Sequence, residues 1–196
     1  MSLGEIIKPE CSMDRRLRLS VMLALNCGPI LKGSKAACII NVNPEEFPII
    51  INMLADTGLY YRLIKPCGKH FKLYLYRENK LYNYMSRMDT AGFLKEYGYC
   101  GASVEEMLDR LSRRIILYGA GEIKFPHELG IFLGYPVADV KGFIENKGKN
   151  YIYSGYWKVY ENAAEAIRIF RQYDLEREIA VREVIRGYTI REVAVY

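Results

Sequence analysis

Residues 59–77, LYYRLIKPCGKHFKLYLYR, contain two runs of alternating side chains separated by a Pro-Cys-Gly-Lys connection. Alternation with a period of two is typical of a β-strand, and Pro and Gly in a short connection favour a tight turn. The stretch therefore predicts a β-hairpin with Phe71, Leu73 and Leu75 on a core face and a basic, aromatic opposite face. A run of apolar and β-branched residues over 37–42 predicts a further, buried strand.

Outside the strands the sequence is typical of helices. Apolar residues recur at helical spacing over residues 12–26, and Gly28-Pro29 is expected to interrupt that helix. Ser103 followed by Glu106 matches a capping box at a helix start. Tyr151 to Tyr160 is expected to be extended, with a turn or bulge inside it. Further helices are predicted near residues 44–56, 78–86, 89–97, 103–117, 126–133, 136–147 and 161–186.

These elements predict an α+β fold, a mostly helical single domain with a small sheet that includes the hairpin near 59–77. The domain is expected to span residues 15–186, with an N-terminal extension at 1–14 and a C-terminal tail at 187–196. A chain of 196 residues that is 51% hydrophobic and 26% charged is long enough and apolar enough to form one packed core.

The chain shows no segment typical of export or of membrane insertion. Its apolar runs fall short of the ~20 residues that a membrane helix needs, and its start lacks a basic and then apolar signal. The five cysteines include no CxxC pair, so free thiols in a reducing compartment are expected rather than a disulfide framework. We therefore expect a cytoplasmic protein that has no membrane partner.

The net charge of +5 lies entirely in the first half of the chain, residues 1–98, which includes the hairpin. Four basic residues of the hairpin form a candidate anion-binding set: Arg62, Lys65, Lys69 and Lys72. Basic residues beside aromatic rings are what single-stranded nucleic-acid binders use, but a solvated sheet face protected by lysines explains the same residues. Nucleic-acid binding is therefore a third hypothesis and not the favoured one.

Two catalytic motifs are excluded. His127-Glu128 begins like a zinc-protease helix, but the second histidine that such a site needs is replaced by Ile131. The chain has no phosphate-binding P-loop, and the glycines at 119–121 lack the GxGxxG spacing. The sequence therefore predicts neither a metal site nor nucleotide hydrolysis.

Cys27 is a candidate reactive thiol. Lys35 follows it closely, and a nearby cation lowers a thiol pKa and makes the thiolate available as a nucleophile. A small buried apolar residue at a helix end would explain the same cysteine. A thiol-dependent or redox enzyme that uses Cys27 with Lys35 or His127 thus remains an alternative.

Residues 155–160, GYWKVY, hold the chain's one tryptophan between tyrosines and a lysine. Such a cluster forms either a ligand shelf or part of a strand core. Pro126 is expected to start a helix, whose free N–H groups would lie beside His127. We expect one shared pocket for a small planar or anionic ligand, lined by His127, Glu128, Tyr156, Trp157, Lys158 and Tyr160, with Cys27 and Lys35 as further lining.

Three stretches, residues 25–36, 125–144 and 155–160, resemble the family called domain of unknown function 3793, found mainly in anaerobic Firmicutes. The resemblance covers roughly residues 15–185, with Gly28 standing where the family is expected to have Ala. It implies a small cytoplasmic protein of unassigned activity, and it supplies neither catalytic residues nor a cofactor. The leading hypothesis is a non-enzymatic binding or accessory protein that takes a small ligand or a protein partner.

Overall fold

The described strands form a three-stranded antiparallel sheet of β1 (Ala37–Val42), β2 (Tyr60–Ile64) and β3 (Phe71–Tyr76). The order is β1-β3-β2, so the hairpin strand β3 lies in the middle and Leu73 pairs with both Ile40 and Leu63. The predicted hairpin and the predicted strand at 37–42 are both confirmed.

The structure is a computed structural model that describes residues 14–65, 71–99, 101 and 103–195. The hairpin turn at 66–70, and with it Lys69, lies outside the described residues. The helices of the described residues are α1 (Arg15–Leu31), α2 (Phe47–Leu54), α3 (Glu78–Met85), α4 (Met88–Glu96), α5 (Val104–Gly119), α6 (Leu129–Phe132), α7 (Val137–Glu145), α8 (Ala163–Ile185) and α9 (Ile190–Val193). A small second hairpin is formed by β4 (Tyr153–Ser154) and β5 (Lys158–Val159). The α+β class is confirmed.

The first helix does not stop at Gly28-Pro29, and the predicted interruption is wrong. Proline removes a single hydrogen bond, and here the loss falls within the last turns of α1, which continues to Leu31. The helix end is held from outside, because the Arg77 guanidinium donates to the carbonyl oxygens of Ile30 (2.9 Å) and Leu31 (3.1 Å). A cation at a helix C-terminus also opposes the negative end of the helix dipole.

The central sheet is covered on both faces. Leu73 and Leu75 of β3 pack into a first core with α1, α2 and α8, whereas Tyr74 and Tyr76 pack into a second core with α3 to α7. The predicted exposed aromatic face is therefore wrong for these two tyrosines. Burial of Tyr74 is possible because its hydroxyl donates to the carbonyl oxygen of Phe132 at 2.6 Å.

The second half of the chain closes both cores. Ser103 caps α5 as predicted, accepting from the Glu106 N–H while the Glu106 carboxylate accepts from the Ser103 N–H. The segment expected to be a tail contains the short helix α9, and its Ile190 and Val193 are buried in the first core. A third, smaller cluster packs the β4–β5 hairpin onto α8 through Trp157 and its neighbours.

Candidate functional site

A cavity of about 370 Å³ opens between the α6–α7 segment and the β4–β5 hairpin. Its walls are mostly aromatic and aliphatic, with a few polar groups. They are formed by Phe125, His127, Leu129, Gly130, Leu133, Tyr135, Asp139, Val140, Phe143, Ser154, Gly155, Trp157 and Lys158. An apolar cleft of this volume with a few polar groups is the usual form of a small-molecule site.

The α6–α7 wall is built by two tight approaches of the chain. Gly134 takes a positive φ of 78°, which lets the chain reverse between the two helices. A Cβ atom at Gly130 would lie 2.8 Å from the Val140 side chain, so α6 and α7 pack closely only because this position has none. His127 and Phe143 both line the cavity on this wall, with their ring centroids 5.7 Å apart.

Trp157 is fixed in place by Asp139. The indole N–H donates to the buried Asp139 carboxylate at 2.7 Å, and the same carboxylate accepts from the backbone N–H groups of Tyr160 (2.7 Å) and Glu161 (3.1 Å). The Tyr135 ring stacks on the indole at 5.2 Å, and the Phe170 ring meets it edge-on at 4.5 Å. Trp157 is therefore a rigid, preoriented wall of the cavity.

Asp139 was not among the residues expected at the site. It lies in the first turn of α7, where an acidic residue normally interacts with the helix N-terminus and solvent. Its actual partners are about twenty residues later in the chain. The only sequence signal for it is an acidic residue in the first turn of a mostly apolar helix, together with a tryptophan that needs an acceptor when buried.

His127 forms the opposite wall, between the rings of Phe125 and Phe143, whose centroids lie 5.3 and 5.7 Å from its own. Burial lowers the pKa of His127 below its ordinary value of 6.5, and the nearby Glu128 charge only partly opposes this. At pH 7 the imidazole is therefore neutral, with one nitrogen able to donate and the other able to accept.

Lys158 supplies the positive charge at the cavity edge. Its ammonium group donates to the carbonyl oxygen of Gly148 at 2.7 Å and lies over the rings of Tyr151 (4.8 Å) and Phe143 (5.7 Å). Among the residues that the structure describes, no carboxylate forms an ion pair with it. The charge is thus held in position and is not neutralised by the protein.

Two of the expected pocket residues point away from this cavity. Glu128 is fully buried behind the wall, where its carboxylate accepts from the guanidinium of Arg114 and from the hydroxyl of Tyr99. Tyr160 packs across Gly142, where a Cβ atom would lie 2.5 Å from the Tyr160 ring. Both hold the wall together from outside the cavity.

The remaining expected residues line a neighbouring smaller cavity of about 120 Å³. Cys27, Lys35 and Tyr156 contribute to it, and Leu133 and Tyr135 separate it from the larger one by lining both. The Tyr156 hydroxyl donates to Asp174 of α8 at 3.1 Å. The structure therefore places His127, Trp157 and Lys158 at the larger cavity and Cys27, Lys35 and Tyr156 at the smaller one, with Glu128 and Tyr160 outside both.

The three described basic residues of the candidate anion-binding set each have a contact within the protein. Arg62 makes ion pairs of 3.1 Å with both Glu105 and Asp109 of α5. Lys72 donates to the side-chain oxygen of Asn41 at 3.1 Å, and the Lys65 ammonium lies over the Phe71 ring at 5.3 Å. Of these three, Arg62 is the one that is paired with carboxylates.

The family assignment follows from residues 23–194, which match the model of a protein family described as Protein of unknown function (DUF3793). The chain belongs to this family. The matched range contains both cavities and every element from β1 to α9. Searches of curated proteins and of solved structures gave no significant match.

Two further properties concern only the described part of the chain. None of its helices combines the length and the apolar character needed to cross a membrane. No cluster of three or more His, Cys, Asp or Glu side chains there could hold a metal ion.

Proposed function

We propose that this member of the DUF3793 family is a non-enzymatic binding protein whose ligand occupies the larger cavity. The observation that carries the proposal is that His127, Trp157 and Lys158, from two separate segments, line one apolar cleft. Preoriented aromatic walls with a few fixed polar groups are what small-ligand sites provide. The proposal places the protein in the cytoplasm, where its buried thiols stay reduced.

The chemistry of the walls defines the ligand class. Trp157 and Phe143 offer flat apolar surfaces, which favour a planar ring system. Lys158 offers an unpaired positive charge and neutral His127 offers one donor, so an anionic group attached to the ring would be held at this edge. The ligand is therefore a small planar molecule that carries one acidic group.

Intrinsic fluorescence tests this directly, because Trp157 is the chain's one tryptophan. We expect 1-anilinonaphthalene-8-sulfonate, an anion built on a planar naphthalene ring, to quench Trp157 emission with a one-to-one stoichiometry. Lys158→Gln removes the charge and keeps a donor for Gly148, and it should weaken binding of this probe about tenfold. Binding of N-phenyl-1-naphthylamine, which has the same rings but no sulfonate, should not change.

The matched control is Lys149→Gln, which removes an exposed lysine of the adjacent turn and should leave both probes unaffected. If neither probe quenches Trp157 emission, the proposal is wrong. If Lys158→Gln weakens the binding of both probes equally, the ligand class is not anionic, and only the apolar character of the site is supported. Native mass spectrometry of the protein purified from its own host would then identify the bound compound.

A further inference from the structure

Two thiols from different elements meet beside the smaller cavity. Cys27 lies near the end of α1 and Cys38 lies in β1, and their sulfur atoms are 3.7 Å apart. Both side chains are buried. A disulfide bond is ~2.05 Å long, so bond formation requires the two sulfurs to approach by about 1.7 Å in total.

A partly buried lysine lines the same small cavity as this pair. The Lys35 ammonium sits between three tyrosine rings, at 5.6 Å from Tyr135, 5.7 Å from Tyr156 and 5.6 Å from Tyr173. Ring faces stabilise a desolvated cation, but they do not neutralise it. Lys35 forms no ion pair with any described carboxylate, so its charge remains available to stabilise a thiolate of the pair.

The surroundings make the two thiols unequal. The pKa of Cys38 is lowered by its hydrogen-bond contact with Cys27, with 3.7 Å between the two sulfurs, and by the positive charge of Lys35, although burial opposes both effects. The pKa of Cys27 is raised, first by that same hydrogen bond and then by burial. A cysteine with a lowered pKa beside a second thiol is the arrangement that peroxide-reactive dithiols use.

The cavity determines which oxidant can reach the pair. It measures about 120 Å³ and is lined by Cys27, Cys38 and Lys35 together with Asn26, Tyr135 and Tyr156. This volume holds a few molecules of the size of water, and hydrogen peroxide is only slightly larger. A peptide disulfide such as oxidised glutathione is far too large to enter it.

We propose that Cys27 and Cys38 form a redox-active dithiol that hydrogen peroxide oxidises to a disulfide. The Cys38 thiolate attacks one peroxide oxygen, the O–O bond breaks, and the departing hydroxide takes up the proton that Cys38 had lost and leaves as water. The sulfur of Cys27 then attacks the resulting Cys38 sulfenic acid. The S–S bond forms, the S–O bond breaks, and the hydroxyl leaves with the Cys27 proton as a second water.

In this sequence one peroxide gains two electrons and the two thiols lose them. The proposal is independent of a ligand in the larger cavity, because the reacting atoms all line the smaller one.

Peptide mapping of the native chain tests the proposal. The reduced, folded protein is treated with one equivalent of hydrogen peroxide, blocked with N-ethylmaleimide and digested with trypsin without reduction. Cleavage after Lys32 and Lys35 places the two cysteines on separate peptides, residues 19–32 and 36–62. We expect these two peptides to be linked, with a mass two hydrogens below their sum, and dithiothreitol to separate them.

Variants assign the roles. Cys27→Ser should leave Cys38 as a sulfenic acid that dimedone traps, and Lys35→Met should slow formation of the link at least about tenfold, whereas Lys35→Arg should retain most of the rate. The unfolded chain in urea is the control, since there any two of the five cysteines can pair. Two results would overturn the proposal. One is that Cys27 and Cys38 stay reduced after peroxide treatment of the folded native chain. The other is that Cys38 is oxidised beyond sulfenic acid and no link forms.

Discussion

Glu128 shows at the level of one side chain why a charged residue beside a pocket need not serve it. It is 0% exposed, and one of its oxygens accepts from both the Arg114 guanidinium and the Tyr99 hydroxyl at 3.2 Å, while the other oxygen has no partner. Burial, followed by the charge of Glu128, raises the pKa of Tyr99, so its hydroxyl stays a donor. The carboxylate therefore fixes α5 to the start of α6 and contributes to stability.

Replacement of Arg114 is expected to lower the free energy of unfolding, because it leaves the Glu128 carboxylate buried without a charge partner. We predict that Arg114→Met lowers the free energy of unfolding by about 3 kcal/mol, the lower end of the range for breaking a buried pair, because Arg114 is itself partly exposed. Urea unfolding at pH 7 measures this. Adding Glu128→Gln to that variant should restore about 1–2 kcal/mol, since it removes the unpaired charge.

The neighbouring Arg113 is exposed and provides the control. Arg113→Met should change the free energy of unfolding by no more than about 0.5 kcal/mol. Equal effects of the two arginine substitutions would show that the buried pair does not determine the stability of this region.

At the scale of elements, alanine substitutions at two helical glycines, one closely packed and one exposed, distinguish the effect of packing on stability from the effect of helix propensity. Gly142 lies in α7 against the Tyr160 ring, whereas a Cβ atom at Gly92 in α4 would meet nothing within 4 Å. Neither has a positive φ. Replacing either one by alanine gains the same helix propensity, so the difference between them reports packing alone.

We predict that Gly142→Ala lowers the free energy of unfolding by about 1–3 kcal/mol, because the added methyl group overlaps the Cβ and ring of Tyr160. Gly92→Ala should raise it by about 0.5–1 kcal/mol. Thermal or urea unfolding of the two variants measures both values. A stabilised Gly142→Ala would mean that the β4–β5 hairpin can move away from α7.

Local patterns explain which elements could be predicted. The alternation in residues 59–77 and the Ser103 capping box depend on neighbours along the chain, and both are confirmed. The end of α1 depends on Arg77, and the burial of Tyr74 depends on helices later in the chain. Such contacts between distant residues leave no period in the sequence, so those two predictions were wrong.

The same distinction holds for the candidate site. The sequence indicated His127, Trp157 and Lys158 by residue type, and the structure places all three around one cavity. It could not indicate that Tyr156 faces the neighbouring cavity, because adjacent residues in extended chain point to opposite sides and the register depends on tertiary packing. Asp139 and Cys38 gained their roles only through partners distant in sequence.

For the whole molecule, individual elements connect the separate cores. Strand β3 sends Leu73 into the first core and Tyr74 into the second. Helix α8 contributes Val181 to the first core and Phe170 to the third cluster. Since neither element can be removed without exposing two clusters, the clusters are expected to unfold together.

We predict a single urea transition, with the same midpoint for far-ultraviolet circular dichroism and for Trp157 emission. Circular dichroism reports the helices of all three clusters, and the tryptophan reports only the third. A Trp157 midpoint at clearly lower urea would show that the β4–β5 hairpin detaches before the rest, and it would contradict the shared-element argument.

The pairing of α1 with α8 also has a consequence for biosynthesis. A Cβ atom at Gly28 would lie 2.6 Å from the Arg177 Cα, and Lys32 forms an ion pair with Glu183, so the first and the longest helix are in intimate contact. Translation at ~5–20 residues per second separates their emergence from the ribosome by roughly 10–30 s. Throughout that interval the nascent α1 has an uncovered apolar face, which makes the growing polypeptide a natural client for chaperones that hold unfinished chains.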